Sequence, residues 1–190
     1  MRASLRLIVS LSLLVFVIGT SHAYAQRRVP ETGMWGVGGS IGAGVPMDAS
    51  LDNGFGFAGN VERYVTPRVS IRGQLGGTWA DIVGRHFTGT VNPVFLDGNV
   101  VYNWEGGNLH PFVTGGGGIY FYKSSIDGSR SMTDTKPGLD FGGGLELFFD
   151  RRTTMTAEAL YHVVSSVDSA LATFPDGKFW TFGVGVKRYF

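Results

Sequence analysis

Charged residues in alternating segments are the part of this sequence that could most directly do chemistry. Each lies where polar and apolar residues alternate with a period of two, which is typical of a β-strand whose two faces meet different surroundings. Carboxylates and cations on the polar side would share one face of a sheet and could neutralise one another. A buried charge without such a partner is very costly, so pairing is expected. The candidate charge network comprises Glu62, Arg72, Glu146, Glu158 and Lys187.

His162, Ser165 and Ser166 suggest nucleophilic catalysis, in which a histidine and an acid activate a serine. The histidine and the nearest serine are three positions apart, so alternation places them on opposite faces of a strand, and Ser165 begins a loop. We therefore predict no catalytic residues and interpret His162 as an ordinary polar residue of a strand. His86 and His110 lie in or next to connections, and no pair of histidines has the spacing of metal ligands. The sequence predicts no metal site and no cofactor.

The four-glycine run Gly115–Gly118 has the composition of a phosphate-binding loop but not its context. The Lys-Ser/Thr pair and the strand-to-helix transition that this chemistry requires are missing. We interpret the run as flexible or closely approached strand backbone.

The composition favours an all-β protein without covalent cross-links. The chain has 190 residues, of which 30 are glycine, 13% are aromatic, 16% are charged and none is cysteine. Glycine and aromatic residues do not favour helix interiors, and the aromatic content argues against disorder. A formal net charge of +1 gives no reason to expect a nucleic-acid partner. No disulfide can form, so the fold must be stable without one.

The first part of the chain has the pattern of a secretory signal peptide. Arg2 and Arg6 precede the apolar run Leu7–Ile18, and Ala23 and Ala25 supply the small residues of a cleavage site after Ala25. The apolar run is well below the roughly 20 residues that a membrane-spanning helix needs. We therefore predict an exported protein. The predicted divisions are a cleaved signal peptide over 1–25, a short periplasmic segment over 26–33 and a β-barrel domain over 34–190.

Period-two alternation predicts eight strands, each about as long as a tilted membrane strand. Short turns over 66–68, 105–108 and 150–153 alternate with longer polar loops, as in outer-membrane barrels, which also have an even strand number. The predicted loops are Pro46–Asn53, Asp81–Val94, Ser124–Pro137 and Ser165–Gly177. The predicted strands are Met34–Val45, Phe55–Tyr64, Val69–Ala80, Phe95–Trp104, Phe112–Lys123, Leu139–Phe149, Thr154–Val164 and Lys178–Phe190.

One face of these strands is apolar and aromatic, and the other is polar and rich in glycine. A soluble barrel would turn the apolar face inward, whereas a membrane barrel turns it toward lipid. Glycines on the polar face of the first strand suit a crowded interior, and aromatic residues near strand ends suit the girdles at membrane interfaces. We therefore predict an eight-stranded antiparallel up-and-down transmembrane β-barrel. The polar face comprises Asn60, Glu62, Arg72, Gln74, Asp97, Asn99, Asn103, Thr114, Asp140, Glu146, Glu158, His162 and Lys187.

The segment Trp180–Phe190 alternates with a period of two and closes on an aromatic residue. With the passages Tyr64–Arg72 and His110–Ile119, it makes the mature chain resemble the OmpA/OmpX-type family of small outer-membrane β-barrels. Arg188 departs from the family pattern, which usually has an apolar residue two before the end. The resemblance implies a C-terminal insertion signal that comprises Phe182, Val184, Val186 and Phe190.

The resemblance also implies where the protein is located and what it meets. Outer-membrane lipid and lipopolysaccharide would surround a monomeric barrel, and periplasmic chaperones and the barrel-insertion machinery would be its assembly partners. No peptidoglycan-binding domain is expected after the barrel. The favoured function is a structural or surface-interaction role with a narrow, charge-plugged lumen. The alternatives are a small-solute or ion channel through that lumen and, third, a lipid-modifying enzyme, whose His-x-Ser arrangement is missing here.

Deleting Phe190 tests the insertion signal. Because the deletion removes the aromatic end of the last strand, assembly should slow or fail and the chain should accumulate in the periplasm. Fractionation of cells followed by immunoblotting measures this. An undiminished amount of folded barrel in the outer membrane would contradict the assignment.

Overall fold

The computed structural model describes residues 30–47, 52–83, 88–104, 107–126, 132–165, 167–168, 173–174 and 177–190. The signal peptide over 1–25, with its cleavage positions Ala23 and Ala25, lies outside the described residues. Among the residues described, no helix has the length and apolarity needed to cross a lipid bilayer. The strands are β1 (Trp35–Pro46), β2 (Gly54–Tyr64), β3 (Val69–Val83), β4 (Thr88–Asn103), β5 (Leu109–Ile126), β6 (Met132–Phe148), β7 (Thr153–Val164), β8 (Val167–Asp168), β9 (Thr173–Phe174) and β10 (Gly177–Tyr189).

Eight of these strands form one closed barrel in the order β1-β10-β7-β6-β5-β4-β3-β2. Every neighbouring pair is antiparallel, so the predicted fold class is confirmed. The barrel closes where the last strand meets the first: the Trp35 amide donates to the Phe190 carbonyl at 3.2 Å, and the Phe190 amide donates to the Trp35 carbonyl at 2.8 Å. Closure leaves no strand edge within the ring, as a membrane requires.

The two faces are sorted as the alternation predicts. Apolar residues cover the outside: Ile41 is 59% exposed, Leu75 is 55% exposed and Leu139 is 66% exposed. Of the thirteen polar-face residues, eleven are buried, whereas Asn60 and Glu158 are of intermediate exposure. This inside-out pattern identifies the apolar face as the one that meets lipid.

Aromatic side chains form two groups on the outer surface. Trp35, Trp104, Phe149 and Phe190 lie at the end of the barrel that carries the short turns, and all four are exposed. Toward the other end, stacked or edge-on contacts link aromatic residues along neighbouring strands. Two aromatic girdles that flank an apolar band are typical of membrane barrels. The second group comprises Phe55, Phe57, Trp79, Phe141, Tyr161, Trp180 and Phe182.

Side-chain oxygens hold two of the three short turns. Thr66 Oγ1 accepts the Val69 amide at 3.0 Å, and Asp150 Oδ1 accepts the amides of Arg152 and Thr153 at 2.6 and 2.8 Å. The hydrogen bond from the Arg152 amide is the main reason that the pKa of Asp150 lies below its usual value. These turns fix the register of the strand pairs that they join, because turn geometry sets hairpin register.

Several predicted strand ends and loops are wrong, because the strands extend further toward the loops than predicted. The fourth strand begins at Thr88 rather than Phe95, the fifth ends at Ile126 rather than Lys123, and the sixth begins at Met132 rather than Leu139. The predicted loops Asp81–Val94 and Ser124–Pro137 therefore contain paired strand residues, and the predicted loop Ser165–Gly177 contains the small pair β8–β9. Beyond the lipid, both faces of a strand meet water. The hydrophobic alternation ends there while backbone pairing continues.

Replacing Val184 by Arg tests which face meets lipid. Val184 is 58% exposed and lies midway along β10, opposite Ile41 and Ala157. A lipid-facing arginine near mid-membrane should lower the free energy of unfolding by about 2–4 kcal/mol. Urea unfolding of the barrel in lipid vesicles measures this loss.

Thr114→Ser is the matched control for that variant, because Thr114 is buried on the lumen side and the hydroxyl is kept. Its stability should stay close to that of the unchanged protein. Equal tolerance of both substitutions would contradict the assignment of the two faces.

Candidate functional site in the barrel lumen

The five charged residues of the candidate network meet inside the barrel near its short-turn end. Glu62 lies two positions before Tyr64, the last residue of β2, and faces Arg72 directly across the β2–β3 pairing. Lys187 reaches them from β10, Glu146 from β6 and Glu158 from β7. The side chain of Glu158 is 18% exposed, whereas the other four residues are at most 2% exposed.

Glu62 is the shared acceptor of the network. Its Oε2 accepts from Lys187 Nζ at 2.6 Å and from Arg72 Nε at 3.3 Å, and its Oε1 accepts the hydroxyl of Ser70. Arg72 also donates from Nη1 to Glu158 Oε1 at 2.8 Å, which is the shorter of its two ion pairs. One carboxylate therefore joins both cations, and a single substitution at Glu62 would affect both.

Glu146 completes the network on the opposite wall. Its Oε2 lies 3.4 Å from Lys187 Nζ, while its Oε1 accepts from Thr154 Oγ1 and from the Tyr189 hydroxyl, each at 2.6 Å. Hydrogen bonds to charged acceptors are roughly twice as strong as neutral ones, so these hydroxyls help to replace the water that the carboxylate loses. The ion-pair chain therefore runs from Glu158 through Arg72, Glu62 and Lys187 to Glu146.

The absence of a side chain at a glycine on β1 leaves space for Lys187 to reach Glu62. Strand β1 lies between β2 and β10, so Lys187 must extend across it to reach Glu62. A Cβ atom at Gly36 would lie 3.1 Å from Lys187 Cδ and 3.0 Å from Tyr189 Cε1. Contacts this short require the neighbouring side chain to shift, so a bare backbone at this position suits the ion pair.

Aromatic side chains cover the network on the short-turn side. The Tyr64 and Tyr189 hydroxyls lie 3.3 Å apart, and Asn103 Nδ2 donates to the Tyr64 hydroxyl at 3.2 Å. Phe148 stacks on Tyr189 with ring centroids 5.8 Å apart and planes 9° apart. Tyr64, Phe148 and Tyr189 are not among the predicted network residues, although their place in the same period-two register could have identified them as facing inward.

A second aromatic cluster lies toward the loops. His162 stacks on Phe179 at 4.5 Å between centroids, and its two ring nitrogens contact the Tyr120 hydroxyl at 2.9 Å and Thr181 Oγ1 at 3.0 Å. Ser165 is exposed and bonds to the Pro137 carbonyl instead. The histidine and this serine therefore form no nucleophile–base pair.

Other sequence candidates lie apart from the network. His110 Nε2 contacts the Gly107 carbonyl at 3.0 Å, while Ser166 and His86 lie outside the described residues. In the part of the chain that the structure describes, no group of three or more His, Asp or Glu side chains is arranged to hold a metal ion. Gly115–Gly118 forms part of β5, in agreement with its interpretation as strand backbone.

The residues of the candidate insertion signal all lie on the outer surface of β10 or directly after it. Phe182 is 47% exposed, Val184 58%, Val186 56% and Phe190 66%. Arg188 has the same orientation and donates to Thr153 Oγ1 on the neighbouring strand. Phe182, Val184 and Val186 thus form an apolar stripe on the closing strand, and Arg188 separates this stripe from Phe190.

A closed antiparallel barrel with an apolar exterior and charges packed inside defines an outer-membrane β-barrel protein. The chain belongs to the outer membrane protein beta-barrel domain family, whose model matches residues 11–190. No curated protein sequence matches it significantly.

Solved structures of small outer-membrane barrels share the fold. Ail, the attachment invasion locus protein of Yersinia pestis, has a TM-score of 0.60 and 15% identity over 84% of this chain and 99% of its own. The N-terminal barrel domain of Pseudomonas aeruginosa OprF has a TM-score of 0.54 and 13% identity over 85% and 100%. Neisserial surface protein A has a TM-score of 0.61 and 12% identity over 82% and 98%. At these identities the likeness concerns the fold.

Replacing Lys187 by Met tests the network. The substitution leaves Glu62 and Glu146 facing each other without their shared cation, so the free energy of unfolding should fall by roughly 3–5 kcal/mol, and by less if water reaches them. Urea unfolding measures the loss. Adding Glu62→Gln should recover part of it, whereas Lys123→Met, at an exposed lysine on β5, should change little.

Double-mutant cycles extend that test to Arg72 with Glu62 and with Glu158. Contacting charges should show coupling well above about 0.5 kcal/mol. Smaller values for both pairs would indicate independent, solvated charges and contradict the network.

Proposed function

We propose that this protein is an integral outer-membrane scaffold with a sealed lumen, and that it acts through the surface its strands and loops present on the side away from the short turns. The observation that carries the proposal is the ion-pair chain across the lumen, covered by Tyr64, Tyr189 and Phe148. An eight-stranded barrel is just wide enough for side chains to fill it. Paired charges under an aromatic cover leave little space for a solute.

The space beside the network supports a sealed lumen. A cavity of about 40 Å³ lies next to Glu158, and its lining combines small and polar residues such as Ser40 and Thr181 with apolar ones such as Phe95 and Leu160. This volume suits one or a few water molecules. Toward the loops, the packed rings of Phe95, Tyr120, His162 and Phe179 occupy the next level of the interior.

The strands that continue past the ring support a surface role. The β5–β6 pairing reaches Ser124 opposite Met132, whereas the β6–β7 pairing begins only at Gly138 opposite Val164. The β3–β4 pairing likewise continues to Val83 opposite Thr88. Short turns face the periplasm in barrels of this kind, so this ordered extension would project from the cell surface. An ordered sheet can present loops to lipopolysaccharide or to other surface molecules in a fixed geometry.

Assembly by the cellular insertion route is part of the proposal. The outward apolar residues of the closing strand, Phe182, Val184, Val186 and the final Phe190, support recognition by the barrel-insertion machinery, after periplasmic chaperones have delivered the chain. The apolar exterior supports a monomer that is surrounded by outer-membrane lipid.

A gated conductance is the second candidate, favoured by the sharing of Glu62 between two cations. Lys187 also contacts Glu146, and Arg72 also contacts Glu158. Each cation therefore has a second acceptor within reach. A shift of both cations to these outer partners would open a gap beside Glu62 without leaving a cation unpaired.

Planar-bilayer recording of the purified protein distinguishes the two candidates. A sealed scaffold should give no steady conductance, and removing plug side chains in the double variant Lys187→Ala, Glu146→Ala should create or raise it. Val184→Ala, which changes only the lipid face, should behave like the unchanged protein. A steady conductance of the unchanged protein that Arg72→Lys or Lys187→Met abolishes would contradict the sealed scaffold and support the gate.

A further inference from the structure

A groove lies on the outer wall of the barrel, where β1, β2 and β3 approach the short turns. It encloses about 630 Å³, and its lining is largely apolar, with Val61 and Ile71 on the lipid face. Volumes of about 300–1,000 Å³ are typical of sites that hold a small molecule. The groove therefore has the size and the surface to hold part of a lipid.

Gly73 forms the floor of this groove. It alternates with the buried residues Arg72 and Gln74, so its bare side faces outward. A Cβ atom added there would have no heavy atom within 4 Å, so the space above the backbone is open. Val61 lies directly opposite on β2, and Ile71 is the next outward residue along β3. An extended acyl chain can lie against the sheet between these two side chains.

A cation marks the end of the groove nearest the short turns. Arg63 lies opposite Trp35 across the β1–β2 pairing, and its Cζ atom lies 5.2 Å from the centre of the indole ring. Arg63 is exposed, and among the residues that the structure describes no carboxylate forms an ion pair with it. Stacking on an aromatic face positions a guanidinium while its edge can still donate to a further group.

The Trp35 ring places this cation at the level of the lipid headgroups. Trp35 belongs to the aromatic girdle of the short-turn end, and such girdles lie where headgroups meet acyl chains. Short turns face the periplasm in barrels of this kind, so the lipids at this level belong to the periplasmic leaflet. Gly73 lies two positions deeper than the residue opposite Arg63. The cation and the groove thus follow the order of phosphate and chain in a phospholipid.

The segment before β1 borders the groove at its headgroup end. The Gly33 amide donates to the Tyr64 carbonyl at 2.8 Å, and the Tyr64 amide donates to the Met34 carbonyl at 3.0 Å. These bonds hold Thr32 and Gly33 beside Arg63 in the lining of the groove. The groove is therefore polar at the headgroup end and apolar further into the membrane.

The rim around the short turns carries an excess of positive charge. Outside the lumen, the described part of this rim has five arginine side chains and two carboxylate side chains. Basic surfaces at a membrane interface attract anionic headgroups, so lipids with a net negative charge are favoured here. These residues are Arg63, Arg68, Arg151, Arg152 and Arg188, with Glu31 and Asp150.

We propose that the groove binds one anionic phospholipid of the periplasmic leaflet, with its phosphate on Arg63 and an acyl chain over Gly73. A guanidinium can donate two parallel hydrogen bonds to a phosphate, which gives geometric specificity as well as charge. Val61 and Ile71 contact the chain. The groove lies on the outer wall, so its occupancy does not depend on whether the lumen is sealed or conducts.

Titration of the purified protein in non-ionic detergent with dioleoyl-phosphatidylglycerol, followed by native mass spectrometry, tests the site. The unchanged protein should bind one molecule, at least about tenfold more tightly than dioleoyl-phosphatidylcholine, which has the same chains but no net charge. Arg63→Gln should remove this preference. Gly73→Leu should weaken the binding of both lipids, because the added side chain fills the floor of the groove.

Two matched controls separate the site from general effects. Arg152→Gln removes an exposed arginine from the β6–β7 turn, across the barrel from the groove. Gly39→Leu adds the same side chain to the lipid face at a position where a Cβ atom has no contact shorter than 3.8 Å. Both variants should bind phosphatidylglycerol like the unchanged protein. Heat-dependent migration on SDS gels checks that each variant is folded.

Three results would overturn the proposal. Equal binding of the two lipids by the unchanged protein would indicate unselective contact with lipid. An equal loss in Arg63→Gln and Arg152→Gln would indicate diffuse attraction to the basic rim. Displacement of phosphatidylglycerol by an equal concentration of glycerol 3-phosphate would show that the acyl chain contributes nothing and that the groove is not the site.

Discussion

A strand edge in lipid has no hydrogen-bond partner, and this constraint determines most of the molecule. Each unsatisfied backbone group in hydrocarbon costs several kcal/mol, so a sheet is stable there only if its last strand returns to its first. The pair of hydrogen bonds between Trp35 and Phe190 completes that return. With eight strands, closure also fixes a narrow interior. The inward side chains must then satisfy one another, and the ion-pair chain, the hydroxyl donors and the two aromatic clusters are the result.

The sequence is sufficient to predict the features that repeat. Alternation with a period of two distinguishes the face of Ile41 and Leu139 from the face of Glu62 and Asp140, because lipid and lumen select different residue types at every second position. The opposition of Glu62 and Arg72 also follows from the sequence, since only a short turn separates their strands. Where the environment no longer differs between faces, as at Thr88 and Met132, the pattern cannot indicate where a strand begins.

Sequence patterns cannot predict the contacts that form only when the barrel closes. Lys187 and Glu62 are 125 positions apart and lie on strands separated by β1, so no local rule connects them. The shorter ion pair of Arg72, to Glu158 on the far wall, depends likewise on barrel width and side-chain length. Sequence patterns can thus predict which side chains face inward but not how they pair.

The reach of Lys187 across β1 has a consequence for the order of events during assembly. Until the final strand docks beside the first, Glu62 has no access to this cation, and an open sheet keeps the charge of Glu62 in water. Such a sheet can expose its apolar face to lipid only while its polar face remains hydrated. Docking of β10 against β1 brings Lys187 to Glu62 in the same step that removes the strand edges. Expulsion of water from the lumen is therefore coupled to the pairing of the last strand with the first. A chain whose barrel is not yet closed cannot enter the bilayer completely.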